Sequence, residues 1–248
     1  MDISYLLPTL GRPGLNQVID SIYEQSKGYE FEILLMSPDS YNDSRILCLN
    51  EVVNFRDEKC NGQVPCYNVL AREARGKYLV HTMDDHIFTN PIKHSIDLLE
   101  SDTFKNRKFK ICTMKSGNPC PLPPYGTRLG SCLKNPIDFG NHLLMRFPVV
   151  AKETVMNYLN GYLYHPEFFS HAVDNYLGFY VAFNGEPALE SETRLQEVSL
   201  TSNPKYIVVD CNTFLALSLN LINGGKNYVE EPNPDLVQMY LDSGKFLA

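Results

Sequence analysis

The sequence predicts an α/β fold, a mostly parallel central sheet flanked by helices. Three observations predict it. Short apolar runs of strand length, at Ile3–Leu7, Glu32–Met36, Val52–Phe55 and Tyr78–Thr82, alternate with stretches of helical periodicity. That β–α–β rhythm belongs to doubly wound sheets. The 248 residues, 44% of them hydrophobic, suit one α/β domain with a real core. The run at Tyr78 ends in Asp84-Asp85-His86, at the kind of strand terminus where open α/β sheets bind their ligands.

The elements follow in order. After Ile3–Leu7 the segment Pro8-Thr9-Leu10-Gly11-Arg12-Pro13-Gly14 breaks the strand. Leu15, Val18, Ile19 and Ile22 then share a helical face, with Pro13 near its start. A polar turn, Ser37-Pro38-Asp39-Ser40, follows the second strand. Asn68 to Arg75 reads as a helix, with Gly76 where a left-handed cap would sit. Pro91 opens a helix carrying Ile92, Ile96 and Leu99 on one face. Phe109–Met114 and His142–Phe147 read as strands, and Lys152–Asn160 as a helix stopped by Gly161. A late strand is expected at Tyr206–Val209 and a terminal helix at Asp235–Ser243. With no internal repeat and no linker, residues 1–248 read as one domain. Residues 1–114 read as a first half that could bind a nucleotide, and residues 115–248 as a second half.

Residues 115–140 differ in kind. They hold five prolines, four glycines, Lys115, Arg128, Lys134 and one acid, Asp138. A loop this long in a compact domain is usually functional. It reads as a flap that helps enclose a phosphorylated ligand or shapes the acceptor site, with Arg128 on the acceptor side or supporting it, or else as a plain surface excursion.

Bulk properties narrow the function. A net charge of −7 argues against a nucleic-acid partner and leaves phosphate to local devices. No apolar run approaches a membrane span, and no leader-like start is seen. Seven scattered cysteines without a CxxC pair read as reduced thiols in a cytoplasmic compartment, free or peripheral to a membrane. A Cys120–Cys132 bridge stays open. No GxGxxG follows the first strand and no GxxxxGK[ST] occurs, which excludes a dinucleotide dehydrogenase and a P-loop enzyme.

Two constellations carry chemistry. In Asp84-Asp85-His86, hard oxygen donors beside one imidazole suit Mn²⁺ or Mg²⁺ bridging to a diphosphate. The competing reading makes Asp84 or Asp85 the N-cap of a following helix. On a helix begun by Pro166, His171 shares a face with Asp174 and Asn175. An imidazole beside a carboxylate there is a candidate general base, or an ordinary polar cluster at a buried edge.

Several spacings agree with one family. Pro8-Thr9-Leu10-Gly11-Arg12-Pro13 matches its Pro-[Thr/Ser]-x-x-Arg-Pro after the first strand. Glu32-Ile33-Leu34-Leu35-Met36 matches its second strand. Asn68, then Ala74-Arg75-Gly76-Lys77-Tyr78-Leu79, leads into an acidic DxD-like loop at Asp84-Asp85-His86. The chain thus resembles the GT-A glycosyltransferases, most closely the family 2 type of nucleotide-sugar transferases. The resemblance implies a Rossmann-like GT-A domain that moves a sugar from a nucleoside-diphosphate sugar to a glycan or other hydroxyl acceptor. It implies that Pro8, Thr9, Gly11, Arg12, Asn68, Asp84 and Asp85 line the nucleotide-sugar site. The turn after the second strand would read the base, with Ser37 where the family carries an acid and Asp39 two places later. Asp84 and His86 would hold Mn²⁺ or Mg²⁺, and Asp174 would be the base of an inverting reaction. Two other readings compete: a degenerate fold kept as a binding or assembly module, and a nucleotidyltransferase with Gly11-Arg12-Pro13-Gly14 as a poor phosphate loop.

Overall fold

The computed structural model describes residues 1–57, 63–116, 145, 147–166, 177–178, 180–181, 184, 186 and 189–198. All described strands join one eight-stranded sheet. They are β1 (Ile3–Pro8), β2 (Phe31–Ser37), β3 (Val52–Arg56), β4 (Tyr78–His81), β5 (His86–Phe88), β6 (Ile111–Ser116), β7 (Pro148–Ala151) and β8 (Glu190–Glu197). The order is β3-β2-β1-β4-β7-β6-β8-β5. The half β3-β2-β1-β4 is parallel throughout, as expected. The other half is mixed: β7 runs antiparallel to β4 and β6, and β5 antiparallel to β8, while β6 and β8 pair parallel.

Helices cover both faces. On one side β1 turns Ile3, Tyr5 and Leu7 into a core with α1 (Leu15–Gln25) and α4 (Lys93–Glu100). On the other side Leu6, Leu34 and Leu79 pack with α3 (Gln63–Glu73) and α5 (Lys152–Tyr158). The period-2 alternation along β1 splits its side chains between the two cores. The four residues expected on the inner face of α1 are the ones it buries: Leu15, Val18, Ile19 and Ile22.

Several expectations are corrected. Helix α3 begins at Gln63, well before Asn68, because Pro65 falls in its first turn, where no intrahelical N–H partner is lost. A short helix, α2 (Ser44–Leu47), capped by the Asp43 side chain, was not expected from the sequence. Gly76 is not a left-handed cap. It is not among the positive-φ glycines; a Cβ there would lie 2.5 Å from the Ser4 amide nitrogen and 2.6 Å from the Ile3 carbonyl carbon. Glycine is required by close backbone approach to β1. Gly161, by contrast, does terminate α5 at φ +77°, its N–H donating 2.9 Å to the Val155 carbonyl. Residues 142–144 and 146 of the strand expected over 142–147 lie outside the described residues; Met145 and Phe147 are buried, and the strand described next to them is Pro148–Ala151. The charged stretch from Glu190 is strand β8, with Ser191, Thr193 and Leu195 facing inward. The segments expected at Tyr206–Val209 and Asp235–Ser243 lie outside the described residues, as does the flap reading for 117–140. Of the cysteines, Cys48 and Cys112 are free thiols, and Cys120 and Cys132 are outside the described residues.

A buried carboxylate, paired with an exposed guanidinium, pins the crossover to the sheet centre. Glu32 accepts from Ser4 Oγ at 2.7 Å, from the Arg75 amide at 2.7 Å and from Arg75 Nε at 2.8 Å. Ser4 Oγ in turn accepts from the Gly76 amide at 2.8 Å. Burial would push the Glu32 carboxyl up, but these donors together hold it below its ordinary value.

Candidate functional site

The site grows from two adjacent strand ends. Strands β1 and β4 are neighbours, and Thr82 donates through both its amide and its hydroxyl to the Leu6 carbonyl, at 3.1 and 2.6 Å. This clamp sets the Thr9 turn against the acidic loop. Thr9 Oγ1 donates to Asp84 Oδ2 at 2.8 Å, and the Leu10 amide reaches the same oxygen at 3.2 Å. Thr9 Oγ1 also accepts from the Gly11 amide at 2.8 Å, so the hydroxyl is fixed at both ends. Gly11 has φ +79°, and a Cβ there would meet the Tyr41 ring at 2.8 Å. The turn therefore needs glycine for its backbone as well as for space.

Arg12 reaches across the same gap. Its Nη1 donates to Asp85 Oδ2 at 2.5 Å, and its Nε lies 3.5 Å from Asp84 Oδ1. The other Asp85 oxygen lies 2.6 Å from His86 Nδ1. His86 is buried, its ring tilted over Phe147 at 4.8 Å between centroids. The two carboxyls respond oppositely. Burial raises Asp84, with Arg12 and Thr9 offsetting it only in part. Burial acts on Asp85 as well, but contact with His86 and Arg12 wins and holds it below its ordinary value. The N-cap reading of this loop fails: the chain after Asp85 enters strand β5, and the next helix, α4, begins only at Lys93.

The remaining sequence candidates fall in different places. Pro8 ends β1 beside Thr9. Ser37 is fully buried at the end of β2, its hydroxyl 2.8 Å from Asn54 Oδ1, while Asp39 is exposed in the following turn. Asn68 is buried on α3. Its amide nitrogen donates to the Tyr164 carbonyl at 2.8 Å, and its oxygen accepts from the Tyr164 amide at 2.9 Å. That pairing spends the side chain on the backbone at 164. Asp174, His171, Asn175 and Arg128 lie outside the described residues.

Two residues at the end of β3 escaped the sequence reading. Arg56 Nη1 donates to the carbonyls of Pro38 and Tyr41, at 2.9 and 2.7 Å, and so shapes the turn after β2. Asp57 follows it, tied to the neighbouring strand by an amide hydrogen bond to the Ser37 carbonyl at 2.9 Å. Its carboxylate accepts from the Cys66 thiol at 3.4 Å. The available signal was an Arg-Asp pair ending a strand of the parallel half, one strand over from Ser37.

No family model and no curated protein sequence matches the chain. Solved structures do. S. aureus TarS, a glycosyltransferase, matches over 98% of this chain and 43% of its own, with TM-score 0.58 and 14% identity. Its 1–349 fragment in complex with UDP-GlcNAc matches over 82% of this chain and 60% of its own, with TM-score 0.56 and 13% identity. The same fragment with UDP gives TM-score 0.53 and 12% identity, over 81% and 59%. The chain has a glycosyltransferase-like fold. At these identities the likeness is one of fold, and the chain spans about three fifths of the TarS fragment's length.

The acidic loop offers Asp84 and His86 as ligands for a divalent ion. Among the described residues no group of three or more His, Cys, Asp or Glu converges on one point. The donor set still fits a cation that takes only one or two protein ligands and completes its shell from phosphate oxygens and water. No described helix is long and apolar enough to cross a membrane.

Proposed function

We propose that this chain is a glycosyltransferase that takes its sugar from a nucleoside-diphosphate donor. The observation that carries the reading is the Thr9–Asp84–Arg12 junction at the carboxyl edge of β1 and β4. It seats a hydroxyl, a guanidinium and two carboxylates where doubly wound sheets bind nucleotides. A glycosyltransferase-like fold with UDP and UDP-GlcNAc complexes among its structural likenesses supports it, and makes UDP-GlcNAc the first donor to test.

The proposed roles follow from the contacts. Asp84, oriented by Thr9 and the Leu10 amide, faces the ribose or the cation. Asp85 stands behind His86 as an ionised acceptor, so Nδ1 carries the proton and Nε2 is the nitrogen offered to Mn²⁺ or Mg²⁺. When bound, that cation offsets the charge building on the departing diphosphate. Arg12 holds both carboxylates in register and supplies a positive charge beside the phosphates. The turn shaped by Arg56, with Ser37, Asp39 and Asp57, takes the base. Asp174 remains the proposed base that removes the acceptor hydroxyl proton, and an inverting course rests on it.

The test is calorimetric titration with UDP and UDP-GlcNAc, with and without Mn²⁺, followed by donor turnover. Metal-dependent binding with sugar release or transfer supports the reading; no binding to any nucleotide sugar in a panel overturns it. The saturated contacts of Asp84 and Asp85 favour one second reading, a binding module without catalysis. It predicts donor binding with neither transfer nor hydrolysis.

A further inference from the structure

A cavity of about 750 Å³ opens at the opposite edge of the sheet, between the start of β4, the end of β7, α4 and α5. Four residues of β4, rising about 3.3 Å each, separate it from the acidic loop side. Five cations line it, Arg75, Lys77, Lys105, Lys110 and Lys152, against two acids, Glu100 and Glu153. This runs against the composition of the whole chain, in which 29 acids outnumber 22 Lys and Arg.

The pairings leave a surplus. Lys77 is matched to Glu100 at 2.7 Å and Lys110 to Glu153 at 2.8 Å, and Arg75 to the buried Glu32. Lys152 donates to the Ala74 carbonyl and, among the described residues, forms no ion pair. Lys105 comes no nearer than 3.9 Å to Asp102, a fully exposed partner in water. The lining is not wholly charged. Met156, 47% exposed, adds an apolar wall that a bare inorganic ion would not use.

We propose that this cavity binds an organic phosphate, its charge met by Lys105, Lys110 and Lys152 and its carbon skeleton by Met156. The same chemistry is offered by a soluble phosphate ester and by the headgroup of an anionic phospholipid. Neither requires the nucleotide site, so the proposal stands or falls apart from the glycosyltransferase reading.

The experiment titrates the full chain with inositol trisphosphate by calorimetry. In parallel it measures cosedimentation with phosphatidylcholine vesicles with and without phosphatidylglycerol. Binding to at least one probe is expected, and the probe that binds identifies the source. Lys105→Gln with Lys152→Gln should weaken it about ten-fold, while Glu153→Gln, which releases Lys110, should tighten it. Lys105→Gln with Lys110→Gln serves in place of the first pair should loss of the Ala74 contact lower the melting temperature. Failure to bind either probe overturns the proposal, as does unchanged affinity in the folded double variant.

Discussion

Thr9 and Asp84 lie 75 positions apart and are joined by a 2.8 Å hydrogen bond between buried side chains. That contact converts two strand ends into one site. Removing the donor by Thr9→Val leaves a buried carboxylate with one fewer partner and should cost about 1–3 kcal/mol in urea unfolding. Thr9→Ser should restore most of it. Stability unchanged in the valine variant would show that the carboxylate is satisfied without the hydroxyl.

Asp84 and His86 carry the proposed cation. Asp84→Ala and His86→Ala should each lower the Mn²⁺-dependent increment in UDP affinity by about ten-fold or more, with metal-free UDP affinity less affected. Titration calorimetry in Mn²⁺ and in EDTA checks this. An increment retained in both variants would remove the cation from this loop.

Glu32 predicts a pH dependence. Its folded carboxyl lies below the ordinary 4.5, so its stabilisation is fully present above that value and is lost as pH falls below it and through the depressed folded value. Glu32→Gln should cost about 1–3 kcal/mol at pH 7, because the Arg75 guanidinium and amide and the Ser4 hydroxyl lose an ionised acceptor. The gap between variant and wild type should narrow below about pH 4. Chemical denaturation across the pH range measures it; a gap independent of pH would contradict the pin.

Gly76→Ala tests close approach. Its Cβ would stand 2.5 Å from a backbone nitrogen of β1, which cannot yield as a flexible side chain would. A loss of roughly 3 kcal/mol or more is expected in thermal or chemical unfolding. A near-neutral substitution would mean that the crossover shifts freely against β1.

The parallel half was legible because its physics is local. A run buried on both faces, as in β1 and β2, and a helix with one apolar face, as in α1, leave periodic marks. Strand β8 left none. Two of its inward residues are Ser191 and Thr193, buried by hydrogen bonding to Ser95 Oγ at 2.7 and 2.8 Å, so alternation existed without hydrophobicity. Strand β5 spans three residues, too short for a period. Within the site, residue types were readable but partners were not. Nothing in the spacing told that Asn68 would be spent on the Tyr164 backbone, or that Arg12 would bridge both acids, since these contacts join distant segments.

The most direct test of the central claim is calorimetric binding of UDP-GlcNAc in Mn²⁺ to the wild type and to Asp84→Asn. The account predicts saturable, metal-dependent binding by the wild type and at least about a ten-fold loss in the variant. Equal affinity in the two proteins, or wild-type binding indifferent to Mn²⁺, would contradict it.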